Sequence, residues 1–391
     1  MNLNVRLLAG PALAFGCVAC GGAGVHPASP PFELTVPVAP QLASFETGRA
    51  LVFEVLIRNT GTETLTLSEM TFEGGPFVWA APDVCAELQR YPEVDAETLP
   101  ELRVLHDVMA ETASLPPCTI APHHAAFVPI WATAPTGTEA TTHIHLRARF
   151  HEVTHAVEVN VPSALAEPTL TLGPPLRSGP WLVMNGLSRT AGHRATALQM
   201  HGAPHWAQRF AADIMKLDDA GCAIPEGASF TENTRFFGYG QDVLAVADAR
   251  VARVLEGVPE NVPGAESRAV PINVTTVTGN AVWLDLGENR FAFYAHLRPG
   301  SIRVHEGDVV HRGDVLGSLG NSGNSTAPHL HFHVARGLGG LETEGVPYTF
   351  EHFTTQSFTE VAEDPRCVRL GDDARVLTEL LPSEGTAIRF E

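Results

Sequence analysis

The segment Pro328-His329-Leu330-His331-Phe332-His333 carries an imidazole at every second residue. Side chains along a β-strand alternate between its two faces. The three histidines therefore share one face, and Leu330 and Phe332 take the other. Neutral imidazole is a favoured zinc ligand, and its pKa lies nearest neutrality among the side chains. A face so furnished can hold a metal and move a proton. The same spacing also describes a solvated, His-rich edge strand, so the reading depends on partners elsewhere in the chain.

Composition narrows the classes. At 391 residues the chain can form two or three domains, each with its own core. Its 44% hydrophobic and 18% charged residues are those of an ordinary soluble globular protein. A net charge of −19 disfavours sequence-independent nucleic-acid binding, which needs a basic face.

The first twenty residues read as an export signal. Arg6 supplies the positive end, and the apolar run from Leu7 to Ala19 is too short to span a bilayer. The run ends in Cys17-Val18-Ala19-Cys20-Gly21-Gly22, which resembles a bacterial lipoprotein signal with Cys20 as the lipidated residue. A plain secretory signal cleaved nearby is the alternative. Four cysteines remain: Cys85, Cys118, Cys222 and Cys367. An even number in an exported chain reads as disulfides; four cysteines allow three pairings, of which placement suggests Cys85–Cys118 and Cys222–Cys367. No CxxC spacing outside the signal suggests zinc binding by cysteine.

Residues 21–31, rich in Gly, Ala and Pro, form a tether. From residue 32 to 161, short apolar runs alternate with turn signals. Leu51–Ile57 is a strand, Asn59-Thr60-Gly61-Thr62 a turn and Leu65–Phe72 the partner strand. Residues 142–150 and 154–161 make another hairpin. This spacing favours an immunoglobulin-like β-sandwich, with a helical insertion around Leu99–Met109. His143 and His145 alternate too, but lack a nearby carboxylate and are read as solvent-facing. Residues 162–180 form a linker and 181–355 a second mainly β domain. In the latter, Ala281–Leu286 and Phe291–His296 pair as a hairpin that brings His296 to a strand end. Residues 356–391 form a tail pinned through Cys367. Paired Gly-Asp turns near Val304–Gly317 resemble lipoyl- and biotin-carrier hairpins. A carrier needs a lysine at the hairpin tip, and the only lysine, Lys216, is far away.

Several segments, in order, resemble the lysostaphin-like (LytM-type) zinc metallopeptidases. They are Phe237–Asp248, Gly279-Asn280-Ala281-Val282, Tyr294-Ala295-His296-Leu297, and Gly320-Asn321-Ser322-Gly323-Asn324-Ser325-Thr326-Ala327-Pro328-His329-Leu330-His331-Phe332. The resemblance covers roughly residues 190–345. It implies an antiparallel β-sheet enclosing a Zn2+ site, the fold termed a duplicated hybrid motif. It further implies an exported, envelope-bound enzyme that hydrolyses peptide bonds of peptidoglycan. In that family a His and an Asp of an HxxxD motif bind the metal with the second His of HxH. Carried over, Asp213 and His331 are ligands, and His296 and His329 act on water and transition state. His333 stands where the family usually has Glu and is read as a third, exposed histidine, with support of a ligand from behind as the alternative. Asn280, Tyr294 and Asn324 are read as turn or core residues beside the cleft, and Trp283 as core.

The upstream motif departs from the family. In Gln208-Arg209-Phe210-Ala211-Ala212-Asp213, arginine stands where the first ligand should be, and arginine cannot ligate zinc. The stretch otherwise resembles an RFAID-type branch of these peptidases. The third ligand is then expected to be His193, on a strand beside that of Asp213, with His205 and His201 as alternatives. A site lacking the third ligand stays open. Arg209 is expected to pair with Asp213 or with a substrate carboxylate. Two other functions stand as rivals: a degenerate module that binds cell wall or activates an amidase, and an envelope adhesin or scaffold.

Overall fold

The strand Gly48–Asn59 is buried along nearly its whole length, so both of its faces are covered. Leu51, Phe53, Val55 and Ile57 point into one core, shared with Leu65, Leu67, Ile144 and Leu146 of an opposing sheet. Ala50, Val52 and Leu56 point the other way, into cores built with the second half of the chain. The computed structural model describes residues 31–80, 84–92, 118–139, 143–153, 157–162, 170–189, 192–200, 203–361, 364 and 366–391. The expected export signal, nearly all of the tether, the periodic stretch Leu99–Met109 and His201 lie outside these residues.

The N-terminal half is a sandwich of two antiparallel sheets. One runs Phe32–Thr35, Gly48–Asn59, His124–Ala134, Val78–Trp79, with Gln41–Phe45 and Gln89–Pro92 attached to its central strands. The other runs Val157–Pro162, His143–Phe150, Leu65–Glu73, Thr119–Ile120. The pairing of Leu65–Phe72 with Leu51–Ile57 expected from sequence does not form: Leu65–Glu73 pairs with His143–Phe150 in the opposite sheet. The buried Asn59 explains the crossing. Its side chain accepts from the Gly61 amide and donates to the carbonyls of Glu63 and Ile120, turning the chain from one sheet to the other. The hairpin His143–Phe150 with Val157–Pro162 forms as expected, and Cys85 is bonded to Cys118.

The second half is built on one large sheet. Its strands, in spatial order, are Leu170–Leu172, Tyr348–Gln356, Thr386–Arg389, Trp181–Met184, Ala212–Lys216, Leu330–Arg336, Arg290–Leu297, Asn280–Asp285, Ala249–Leu255 and Val309–Val310. The sheet reaches beyond the expected limits at both ends. Leu170–Leu172, within the expected linker, pairs with Tyr348–Gln356. Of the residues read as a tail, Arg375–Leu380 and Thr386–Arg389 are strands of the same sheet, and Cys367 is bonded to Cys222. Alternation divides the central strands cleanly. Ile214, Val282, Tyr294, Leu330 and Phe332 enter the main core with Tyr348 and Phe350. Asp213, His331, His333 and Phe293 point from the opposite face.

Candidate metal centre

Strand register sets Asp213 directly opposite His331, where cross-strand Cβ atoms lie about 4.5–5.5 Å apart. His331 Nδ1 is 2.9 Å from Asp213 Oδ1. His193 approaches from the other side, its Nε2 3.4 Å from Asp213 Oδ2. Among the described residues these three form a cluster whose donor atoms all lie within 4.8 Å of one another. The expected strand around His193 is not there. His193 sits on a single helical turn, Gly192–Ala195, and the strand beside Asp213 is Trp181–Met184.

Hydrogen bonds select the tautomers. His193 Nδ1 lies 3.1 Å from the carbonyl of Asn185, His296 Nδ1 2.8 Å from that of Ser322, and His329 Nδ1 2.8 Å from that of Ala327. A carbonyl oxygen only accepts, so each Nδ1 carries a proton; the Nε2 atoms of His193 and His296 keep their lone pairs, whereas that of His329 faces Asp213. His331 is held the opposite way round. Its Nε2 is 2.9 Å from His333 Nδ1, which leaves Nδ1 facing Asp213. His333 is therefore not an exposed histidine: it is buried and orients His331, as outer partners of ligating histidines do.

The remaining two imidazoles stand beside the cluster. The rings of His296 and His329 are 4.9 Å apart, and His329 Nε2 is 3.4 Å from Asp213 Oδ1. His296 has a φ of +64°, a strained conformation for a non-glycine residue. Two bonds hold it there, its amide donating to Thr278 and its ring to Ser322. Ser322 is itself fixed, its hydroxyl donating to Leu297 and accepting from the amide of Asn280.

Electrostatics follow from burial and proximity. Burial pushes His193 down to about 4 against the pull of Asp213. Burial, with His329 and His331 beside it, holds His296 well below the usual histidine range, and burial does the same to His333. At His329, burial is outweighed by Asp213, which raises it. Burial would raise Asp213, but His193 and His329 hold it well below the usual carboxylate range.

The donor set fits a zinc ion. Three ligands about 2.0–2.1 Å from a tetrahedral metal lie roughly 3.3 Å apart; here His331 Nδ1 is 2.9 Å from Asp213 Oδ1 and His193 Nε2 3.4 Å from Asp213 Oδ2, with the three ligand atoms within 4.8 Å of one another. A neutral His193 with a free Nε2 and an ionised Asp213 are in the states that a metal requires, and the Nδ1 of His331 faces the same carboxylate. A cleft of about 310 Å³ opens over them, lined also by His296, His329, Asn324 and Arg268.

Other expected residues lie elsewhere. His205 points away, its Nδ1 3.4 Å from Glu344. Arg209 contacts neither Asp213 nor the cleft; it is buried against Glu54 and Glu344. Tyr294 is in the core on the opposite face, accepting from the Val246 amide, and Trp283 packs on Phe293. Asn280 clamps Val258 and Leu297. Asn185 was not singled out from sequence. It donates from Nδ2 to Asp213 Oδ2 at 2.9 Å while its carbonyl accepts from His193, and its φ is +46°. An Asn-Gly pair at 185–186 signals such a left-handed turn but says nothing about what it holds.

A sheet that sets an aspartate opposite a histidine, with a second histidine brought to ligating distance on a helical turn and two more beside them, is furnished as a metallopeptidase. Residues 234–343 match Peptidase family M23, and this part of the chain is an M23 (LytM-type) peptidase domain. The match takes in His296, His329 and His331 and begins downstream of Asp213. Similar solved structures include the catalytic domain of the prophage-encoded M23 protein EnpA of Enterococcus faecalis. It is 21% identical over 34% of this chain and 87% of its own, with a TM-score of 0.21. A putative peptidase M23 of Pseudomonas aeruginosa is 15% identical over 71% and 90%, TM-score 0.26. A zinc-containing peptidase of Vibrio cholerae is 14% identical over 78% and 81%, TM-score 0.22. The family match, and not these distant likenesses, identifies the domain. No curated protein matches the chain.

Proposed function

We propose that the chain is a zinc metalloendopeptidase that hydrolyses peptide bonds of peptidoglycan in the bacterial envelope. The observation that carries this is the convergence of His193 Nε2, an Asp213 carboxylate oxygen and His331 Nδ1 within 4.8 Å of one another. His193, Asp213 and His331 hold the zinc. When bound, zinc supplies Lewis-acid polarisation of a carbonyl and a lowered pKa for water. His296 presents an Nε2 lone pair beside the ligands and can accept a proton, while His329, raised by Asp213, can donate to the oxyanion. Their Nδ1 bonds to backbone carbonyls fix ring orientation, so little reorganisation is needed during reaction.

Arginine at position 209, where the family has a ligand, favours a degenerate module. Its pairing with Glu54 gives it another role, and His193 supplies the donor that arginine cannot. Export fits the two disulfides, which persist in oxidising compartments. We place the protein at the cell envelope, anchored through lipidated Cys20, with peptidoglycan as its partner.

The test is clearance of a suspension of isolated peptidoglycan. Turbidity should fall with the wild-type chain, stop on chelation and resume on adding zinc. His296→Ala and His329→Ala should each slow clearance by at least about 100-fold. A chain that binds zinc yet clears no peptidoglycan, while retaining it in a pull-down, would instead support the cell-wall-binding module.

A further inference from the structure

Glu54 belongs to the sandwich, yet its side chain lies among the segments that deliver the metal ligands. It occupies the outward-facing row of Gly48–Asn59, between Val52 and Leu56, and is 1% exposed. A carboxylate buried among aliphatic side chains is costly unless paired. Both of its oxygens are taken by arginines of the peptidase half. Arg194 Nη1 donates to Oε1. Arg209 donates through Nη2 to Oε2 at 2.6 Å and through Nε to Oε1 at 3.3 Å. Arg194 reaches further into the sandwich and donates to the carbonyl of Ile130 at 2.9 Å.

Each arginine is tied to a proposed ligand. Arg194 directly follows His193, and Arg209 stands four residues before Asp213. The helical turn Gly192–Ala195 is four residues long, too short to hold itself in water. Its fixed points are the Arg194–Glu54 pair, the bond from His193 to Asn185, and Ala197 packed with Leu56, Phe127 and Trp206. Two of these three come from the sandwich. The arginine that stands in place of a ligand is thereby the counter-charge that, through Glu54, secures the relocated one.

We infer that Glu54 is a positioning residue for the metal centre: the sandwich is a structural part of that centre, and holds His193 in place through Glu54 and Arg194. This rests on the proposed zinc site and deepens it. Glu54 touches neither metal nor substrate and acts through His193.

The experiment measures zinc stoichiometry and affinity of the full chain by competition with a chromophoric chelator, alongside the d–d spectrum of the cobalt form. Glu54→Gln keeps the side chain's size and removes its charge. It should weaken zinc binding by about 10–100-fold and shift the cobalt spectrum toward that of His193→Ala. If Glu54 acts through His193, adding Glu54→Gln to His193→Ala should cost almost nothing more. Full additivity of the two losses, or wild-type affinity in Glu54→Gln, would overturn the inference while leaving the zinc site standing. A wild-type chain that binds no zinc would overturn both. Should Glu54→Gln fail to fold, Glu54→Asp decides, since it keeps the charge but retracts it by one methylene. An affinity between wild type and His193→Ala supports the inference, and unchanged affinity refutes it.

Discussion

Among single residues, the histidines differ in role because their far nitrogens differ in partner. His193, His296 and His329 each give Nδ1–H to a backbone carbonyl, whereas His331 leans its Nε2 on His333. That inversion makes His333 a support and not a ligand. His333→Ala should leave one zinc per chain but weaken it about 10–100-fold, whereas His331→Ala should remove the metal altogether. Equal effects of the two in a chelator titration would show His333 itself to be a ligand. The alternating histidines, Asp213 and His296 were legible in sequence because their motifs keep fixed spacing. His193 could be named only as one of several candidates. The role of His333 was misread, because register, not spacing, decides whether a strand histidine meets solvent or another ring. Asn185 and Glu54 left no motif.

The elements that aim these side chains are strands joined by close-packed turns. The loop before His329 is fitted to the turn before Asn280: a Cβ on Gly323, at φ +75°, would lie 2.2 Å from the Gly279 amide nitrogen. The same loop carries Ser322, which holds His296. Gly240 has a similar φ of +79° with nothing near its missing Cβ. Gly240→Ala should therefore cost only the left-handed backbone penalty of about 1–2 kcal/mol. Gly323→Ala should cost more in denaturant unfolding and should also displace His296 and lose peptidase activity. Equal costs would mean that the two turns do not abut. Individual strands were visible as apolar alternation. Their partners were less so: Leu65–Glu73 crosses to the opposite sheet because Asn59, buried at the turn, bonds across to Ile120. His193 was expected on a strand, yet the chain makes one helical turn there, held by contacts remote in sequence that no local pattern records.

Across the whole molecule, the two halves meet through a buried charge cluster set in apolar contacts. Alternation within Gly48–Asn59 could not reveal this, because both of its faces are buried and the strand reads as a continuous apolar run with one acid in it. Glu54 neutralises two arginines, so its removal leaves charge buried. Glu54→Ala should destabilise the chain by about 3–5 kcal/mol. Burial would raise the Glu54 carboxyl, but Arg209 and Arg194 outweigh it and hold it below the ordinary 4.5. A group depressed on folding contributes stability above its unfolded pKa and loses it as pH falls through the folded value. Unfolding free energy should thus fall as the pH drops below about 4.5, and fall less steeply in Glu54→Gln. Parallel pH profiles for the two would show that folding does not depress the Glu54 carboxyl.

The most direct test of the relocated ligand is zinc content per chain by elemental analysis after exhaustive dialysis, for wild type, His193→Ala and His205→Ala. The arrangement of His193, Asp213 and His331 predicts one zinc retained by wild type and by His205→Ala, and none retained through dialysis by His193→Ala, whose two remaining ligands bind it only weakly. One tightly held zinc in His193→Ala, or none in wild type, would contradict it.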